Sequence, residues 1–147
     1  MTAMFVAMMA AVTGVASASA PNPGNITASA SLDGNGLSST LPVDFFVGDC
    51  IEFGGSSFLT ARPPVNGVAD ISWSAVVETT HTSKADIWHG TFIFKDSNGF
   101  ALAQSDKLDG PPMRTVGQIY RWTIPAQVHL SSTSFALVRK ITWVGEC

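Results

Sequence analysis

Short runs of alternating apolar and polar residues, each ended by turn-forming residues, dominate this chain. In residues 68–80 (VADISWSAVVETT) the alternation places five apolar side chains on one face: Ala69, Ile71, Trp73, Ala75 and Val77. A period of two residues is that of a β-strand with one buried face. Similar runs recur at spacings typical of β-sandwiches, at residues 26–32, 43–53, 87–95, 100–104, 118–124 and 134–144.

No segment after the N-terminus has the 3.6-residue period of a helix, so we predict an all-β sandwich of about seven or eight strands. Connections that contain proline and strands of uneven length favour an open sandwich over a closed barrel. Gly48 predicts a bend within residues 43–53. Asn98-Gly99 predicts a tight hairpin turn, and Arg139 interrupts the apolar face of the last run, which indicates a bulge or a snorkelling side chain.

The N-terminus has the layout of a secretory signal peptide. Residues 1–20 contain no charged side chain, and small residues follow the apolar run in two A-x-A triplets that end at Ala18 and Ala20. Pro21 hinders cleavage after Ala20, so we predict a signal helix over residues 1–18. An uncleaved anchor helix is the alternative. Residues 19–42 then form a Pro/Gly/Ser-rich segment with one light strand, and residues 43–147 form the sandwich domain.

Export gives the two cysteines, Cys50 and Cys147, a structural meaning. In an oxidising compartment a single pair most often forms a disulfide, and neither residue belongs to a C-x-x-C motif. We therefore predict a Cys50–Cys147 disulfide in a secreted protein, either extracellular or periplasmic. Asn25 begins an N-glycosylation sequon, Asn25-Ile26-Thr27, which matters only if the source organism glycosylates.

Charge limits the partners of this chain. The formal net charge is −3 and the basic residues do not cluster, whereas binding to nucleic acid needs a basic stripe. We expect no nucleic acid partner, no cofactor, and no stable membrane insertion once the signal peptide is cleaved. Protein or carbohydrate at the cell exterior is the expected partner.

Few residues carry recognisable chemistry. His81, Asp86 and His89 lie close in sequence beside a predicted loop, and three such ligands are able to hold zinc or copper. Their spacing matches no established ligand motif, so surface polarity is the competing interpretation. The chain also lacks a G-x-S-x-G elbow and a phosphate-binding glycine loop, which favours a non-catalytic protein.

The apolar residues predict both a core and an interaction surface. The four tryptophans alternate in register with other apolar residues, so we expect them in the core rather than on a stacking platform for ligands. Val76 and Ile93 instead fall on the outward faces of their strands. Exposed apolar residues on a sheet often mark a partner surface.

A hairpin within the chain resembles a known family. The residues Phe92, Phe94, Asp96 and Gly99, followed by the later strand Tyr120, Trp122 and Ile124, resemble FxLYD-type immunoglobulin-like bacterial extracellular domains. The resemblance covers residues 65–145 and implies an immunoglobulin-like β-sandwich without shared catalytic residues. The chain departs from the family pattern where Phe94-Lys95 replaces Leu-Tyr and in its cysteine pair.

Together these patterns predict a secreted, disulfide-bonded, non-catalytic binding or structural module. Two alternatives stay open. One is a secreted metal-binding protein or small hydrolase centred on His81, Asp86 and His89. The other is a self-assembling shell or fibre subunit whose strands pair edge to edge.

Overall fold

The computed structural model describes residues 24–147, so the predicted signal helix over residues 1–18 lies outside the described residues. No helix within the described part of the chain has the length and hydrophobicity needed to cross a bilayer. The elements in residues 24–147 are β1 Gly24–Ser29, β2 Ser31–Asp33, β3 Gly36–Thr40, β4 Phe45–Val47, β5 Cys50–Glu52, β6 Phe58–Ala61, β7 Val68–Thr79, β8 His89–Lys95, β9 Ala101–Gln104, β10 Leu108–Asp109, β11 Tyr120–His129, helix α1 Ser132–Phe135 and β12 Lys140–Glu146.

These strands form two antiparallel sheets that pack face to face. The five-stranded sheet has the order β1-β12-β8, with β9 and β10 both paired to the free side of β8. The seven-stranded sheet has the order β2-β3-β6-β7-β11. Strand β5 pairs with β7 on the same side as β6, and β4 pairs with β5. The core lies between the two sheets, and the predicted all-β sandwich is confirmed.

The structure has more strands than the sequence predicted because tight turns divide several runs. Residues 43–53 were expected as one bent strand, but Gly48 adopts a φ of 54° and turns β4 back onto β5. Residues 31–40 form a hairpin of β2 and β3, although they are rich in Ser and Gly and show no clear apolar alternation. Short strands of this kind depend on pairing with neighbours rather than on their own pattern.

The N-terminal segment is part of the sandwich, which corrects the predicted boundary at residue 43. Strand β1 pairs with β12 over its whole length, so it belongs to the five-stranded sheet. After a break at Ala30 the chain crosses to the seven-stranded sheet as β2. Residues 24–42 therefore contribute to both layers.

The last predicted strand is also corrected. Residues 134–144 were expected as one strand, but a short helix, Ser132–Phe135, precedes β12. The Ser131 side chain accepts a hydrogen bond from the Ser134 N–H and so caps the helix. Arg139 lies before β12 rather than in a bulge, and its guanidinium donates to the carbonyl oxygens of Ala136 and Val138.

The predicted hairpin turn is present between β8 and β9. Asp96 Oδ1 accepts hydrogen bonds from the N–H groups of Asn98 and Phe100 at 2.9 and 3.0 Å. Gly99 adopts a φ of 86°, which residues with a side chain rarely tolerate. An Asx turn of this kind fixes the loop without an ion.

Aromatic side chains fill the core, as the alternation predicted. Trp73, Trp88 and Trp143 are almost completely buried. A continuous series of edge-to-face contacts, with ring centroids 5.5 to 5.6 Å apart, joins Trp122, Trp73, Phe92 and Trp143. This geometry favours the interaction of a positive ring edge with a negative ring face.

Gly145 makes room for two of the core rings, which leads to a first prediction. A Cβ atom at this position would lie 2.7 Å from Trp88 Cζ2 and 2.9 Å from Phe45 Cε1. Because both rings are buried, Gly145→Ala should lower the free energy of unfolding by about 1–3 kcal/mol through overpacking. Urea denaturation measures the change. Gly34→Ala is the matched control, since a Cβ there meets no atom within 4 Å; an equal effect of both substitutions would contradict the packing argument.

Candidate functional site

The carboxyl group of Glu52 is buried against the aromatic core, a position that was not predicted from the sequence. Glu52 of β5 has no exposed surface, and its Oε1 accepts a hydrogen bond from Trp73 Nε1 at 3.0 Å. Its other oxygen, Oε2, has no hydrogen-bond partner. A signal was available in the sequence, because alternation along β5 places Glu52 on the same face as Cys50, and that cysteine had to point inward to form the disulfide.

Burial changes the acidity of this carboxyl. Desolvation raises the pKa of Glu52 to about 7, because the charged form loses its hydration in the core. The indole of Trp73 opposes this shift, as do the nearby Trp88 and Ser57 side chains. Trp73 Nε1 donates a hydrogen bond of normal geometry to Glu52, whereas Trp88 Nε1 has no hydrogen-bond partner. A carboxyl sealed in this way has no access to a substrate.

The predicted disulfide is present and joins the two sheets. It links Cys50, a fully buried residue of β5, to Cys147, which follows β12. Asp86 lies beside it and accepts a hydrogen bond from the Thr79 hydroxyl at 2.5 Å. The two sulfur atoms and a carboxylate oxygen of Asp86 lie within 4.8 Å of one another. Both sulfurs are bonded to each other, however, and thiolates rather than disulfides bind metals.

The structure does not bring the predicted metal ligands His81, Asp86 and His89 together into one cluster. Asp86 lies with the disulfide, and the ligand cluster found within residues 24–147 includes neither histidine. His89 Nδ1 lies 2.5 Å from Asp109 Oδ1, its neighbour across the β8–β10 pairing. His81 is exposed. A metal held by all three side chains would require the loop between β7 and β8 to rearrange.

The two residues predicted to form an interaction surface, Val76 and Ile93, differ in how far they are buried. Val76 is only 8% exposed, and residues 53–57 run beside its backbone: the Ser57 hydroxyl accepts a hydrogen bond from the Val76 N–H, and the Phe53 N–H donates to the Val76 carbonyl. Val76 therefore lies on the outer face that alternation predicted, where it lines a surface depression beside Arg121, but it offers little surface of its own to a partner. Ile93 is half-buried on the outer face of the five-stranded sheet, between Thr142 and Gln104.

The outer face of the seven-stranded sheet carries polar, aromatic and charged side chains. Strands β6, β7 and β11 present it, and register places the outward residues in rows across the strands. Phe58, Ser74 and Thr123 form one row, and Thr60, Ser72 and Pro125 form the next. The Ser74 and Thr123 hydroxyls lie 2.9 Å apart and share a hydrogen bond. Most side chains on this face are small and hydroxylated.

One shallow depression on this face has a volume of about 360 Å³. We call it the Phe58–Arg121 depression, and its lining residues are Ser56, Phe58, Ser74, Ala75, Val76, Arg121, Trp122 and Thr123. The Phe58 side chain is 44% exposed there although it belongs to a paired strand. The surface thus combines an accessible aromatic ring, three hydroxyls and one guanidinium.

Two arginines on this face lack an acidic partner. The contacts between a basic and an acidic side chain in residues 24–147 are His89–Asp109 and Lys107–Glu146, so neither Arg62 nor Arg121 takes part in one. Arg62 nonetheless shares its depressions with the carboxylates of Asp33 and Asp70. No acid lines the depression that contains Arg121.

The edges of the sandwich also affect what it is able to bind. Strand β11 is an edge strand of the seven-stranded sheet, and Pro125 stands in its middle. Proline has no N–H to offer an incoming strand, so it interrupts edge-to-edge pairing. This feature opposes assembly through β11.

The fold and its covalent link define a disulfide-bonded, all-β sandwich. Residues 65–147, more than half of the chain, match the model of a family of unknown function, DUF6294. The chain therefore belongs to that family. The match spans β7 to β12, while Cys50, Glu52, Phe58 and Arg62 precede it. Neither a curated protein nor a solved structure matches the chain.

Proposed function

We propose that this protein is an exported, non-catalytic binding module that uses the outer face of its seven-stranded sheet. Export is supported by the disulfide between the sheets, since such bonds persist in oxidising compartments, and by the signal-like sequence of residues 1–20. The extracellular space or a periplasm is the proposed location. The immunoglobulin-like resemblance remains part of this proposal.

The observation that carries a binding role is the Phe58–Arg121 depression. Aromatic residues and arginine are enriched in the cores of protein interfaces, and this depression offers an exposed phenylalanine and an arginine that takes part in no ion pair. Both stand on paired strands, β6 and β11, rather than on loops. A rigid sheet presents such groups in a fixed arrangement, which lowers the entropy lost on binding.

A non-catalytic role is favoured by the position of the one strongly shifted carboxyl. Perturbed acids commonly mark catalytic sites. Glu52 is such an acid, but it lies under complete cover and makes its hydrogen bond to a core tryptophan. We assign it to the interior of the fold rather than to a reaction.

A bulky substitution on the binding face tests this proposal. Ser74→Trp fills the Phe58–Arg121 depression, and we expect it to weaken binding to the protein's extracellular target at least tenfold. Thr91→Trp is the control, because Thr91 is a half-buried residue of β8, a strand of the other sheet. The measurement uses labelled protein on immobilised extracellular polysaccharides and proteins. Equal binding of the two variants, or loss only in Thr91→Trp, would contradict the assignment of the face.

A further inference from the structure

The Phe58–Arg121 depression is lined by one positively charged residue and by no acidic residue. Arg121 is exposed on β11, and the remaining lining residues are uncharged. By contrast, the depressions that contain Arg62 also contain Asp33 or Asp70. A ligand group that meets Arg121 is therefore best matched when it is anionic.

We infer that this depression binds an acidic sugar, a uronate-type residue of an extracellular polysaccharide; the inference rests on the proposed binding face. The planar guanidinium of Arg121 is suited to a carboxylate, to which it donates two parallel hydrogen bonds. Its charge persists at any physiological pH. The carboxylate of a uronate provides the matching acceptor pair.

The other lining groups suit the rest of a sugar ring. Phe58 offers an apolar surface on which the C–H face of a pyranose is able to pack. Ser56, Ser74 and Thr123 surround it with hydroxyls, each of which donates one hydrogen bond and accepts others. The Ser74–Thr123 hydrogen bond uses one of these O–H groups and leaves the other free for a ligand hydroxyl.

Competing anionic partners fit this surface less well. Nucleic acid is held by many phosphate contacts, whereas this depression holds a single arginine and the chain has a net charge of −3. An acidic peptide satisfies the arginine but makes little use of three hydroxyls around an aromatic ring. The combination of ring, hydroxyls and one cation distinguishes an acidic sugar.

Isothermal titration of the folded protein with trigalacturonate tests the inference. Its methyl ester is the matched probe, because it keeps the sugar rings and removes the charges. We expect trigalacturonate to bind at least tenfold more tightly than the ester. Arg121→Ala should weaken binding of trigalacturonate at least tenfold, and Arg62→Ala, which removes the same charge from an arginine on the same face, should change it less than twofold. Unchanged melting temperatures of both variants show that the fold is kept.

The possible outcomes separate the ligand class from the binding face. Equal binding of the ester and the acid, with loss in Ser74→Trp, would overturn the acidic sugar and keep the face. Tighter binding of a tetra-aspartate peptide than of trigalacturonate would also overturn the sugar class. Equal effects of Arg62→Ala and Arg121→Ala would overturn the location of the charge contact. If no extracellular polysaccharide or protein binds in a Ser74-dependent way, the proposed function itself fails.

Discussion

Replacement of both cysteines, Cys50→Ala with Cys147→Ala, is expected to lower the free energy of unfolding by about 4–5 kcal/mol. The disulfide spans 97 residues, so its removal restores a large amount of conformational freedom to the unfolded chain. It also releases a covalent link between β5 of one sheet and the end of β12 of the other. Because typical domains are stable by only about 5–15 kcal/mol, such a loss removes from roughly a third to nearly all of the stability.

Urea denaturation of the oxidised protein, the reduced protein and the double alanine variant measures this effect. The reduced protein and the variant should have similar midpoints, since both lack the same constraint. Their dependence of stability on urea concentration should be steeper, because an unlinked unfolded chain exposes more surface. A loss below about 1 kcal/mol would show that the sheets hold together without the link, and would contradict the entropic argument.

The sequence allowed the larger elements of this fold to be predicted, because each carries its own signal. Strand β7 alternates buried with mostly half-buried positions over most of its length, and the Asp96–Gly99 turn contains the residues that such a turn requires. The disulfide followed from the count of cysteines and the predicted export. A local pattern was sufficient for the strand and the turn, whereas the disulfide, between cysteines 97 residues apart, followed from the composition of the whole chain.

The short elements could not be predicted because their stability comes from neighbours distant in sequence. Strand β6 lies in a stretch with no clear period and pairs with both β3 and β7. Leu137 belongs to the run 134–144 that was predicted as one strand, and it is 52% exposed because α1 and the loop after it replace the start of that strand. Ser131 caps the start of this helix, but a single serine is only a weak sequence signal for where a helix begins.

The candidate binding face also could not be predicted from local sequence patterns. Phe58 and Arg121 are separated by more than sixty residues of sequence, and only the pairing of β6 and β11 with β7 brings them to one depression. Val76 lies on the outer face, as alternation predicted, yet it is only 8% exposed, and its backbone is hydrogen-bonded to residues of the loop after β5. Alternation assigns a residue to one side of a sheet, whereas loops decide whether that side is open.

The buried carboxyl of Glu52 is expected to make the fold about 3 kcal/mol less stable at pH 7 and above than it is below pH 4.5. Below pH 4.5, the carboxyl is protonated in both the folded and the unfolded chain, so the full stability is present. Between pH 4.5 and about 7, the unfolded chain ionises while the folded chain keeps its proton. Because the unfolded state then binds fewer protons, the free energy of unfolding falls by about 1.4 kcal/mol per pH unit.

Glu52→Gln isolates this effect, since every other titrating group is common to the two proteins. Glutamine keeps an oxygen that is able to accept the Trp73 hydrogen bond, and it has no charge to bury. The stability of the natural protein relative to Glu52→Gln should therefore fall by about 3 kcal/mol between pH 4.5 and 7, and then stay constant. Chemical denaturation across this pH range provides the measurement. A difference that does not change with pH would mean that water reaches the carboxyl in the folded protein, because only loss of hydration holds its pKa near 7.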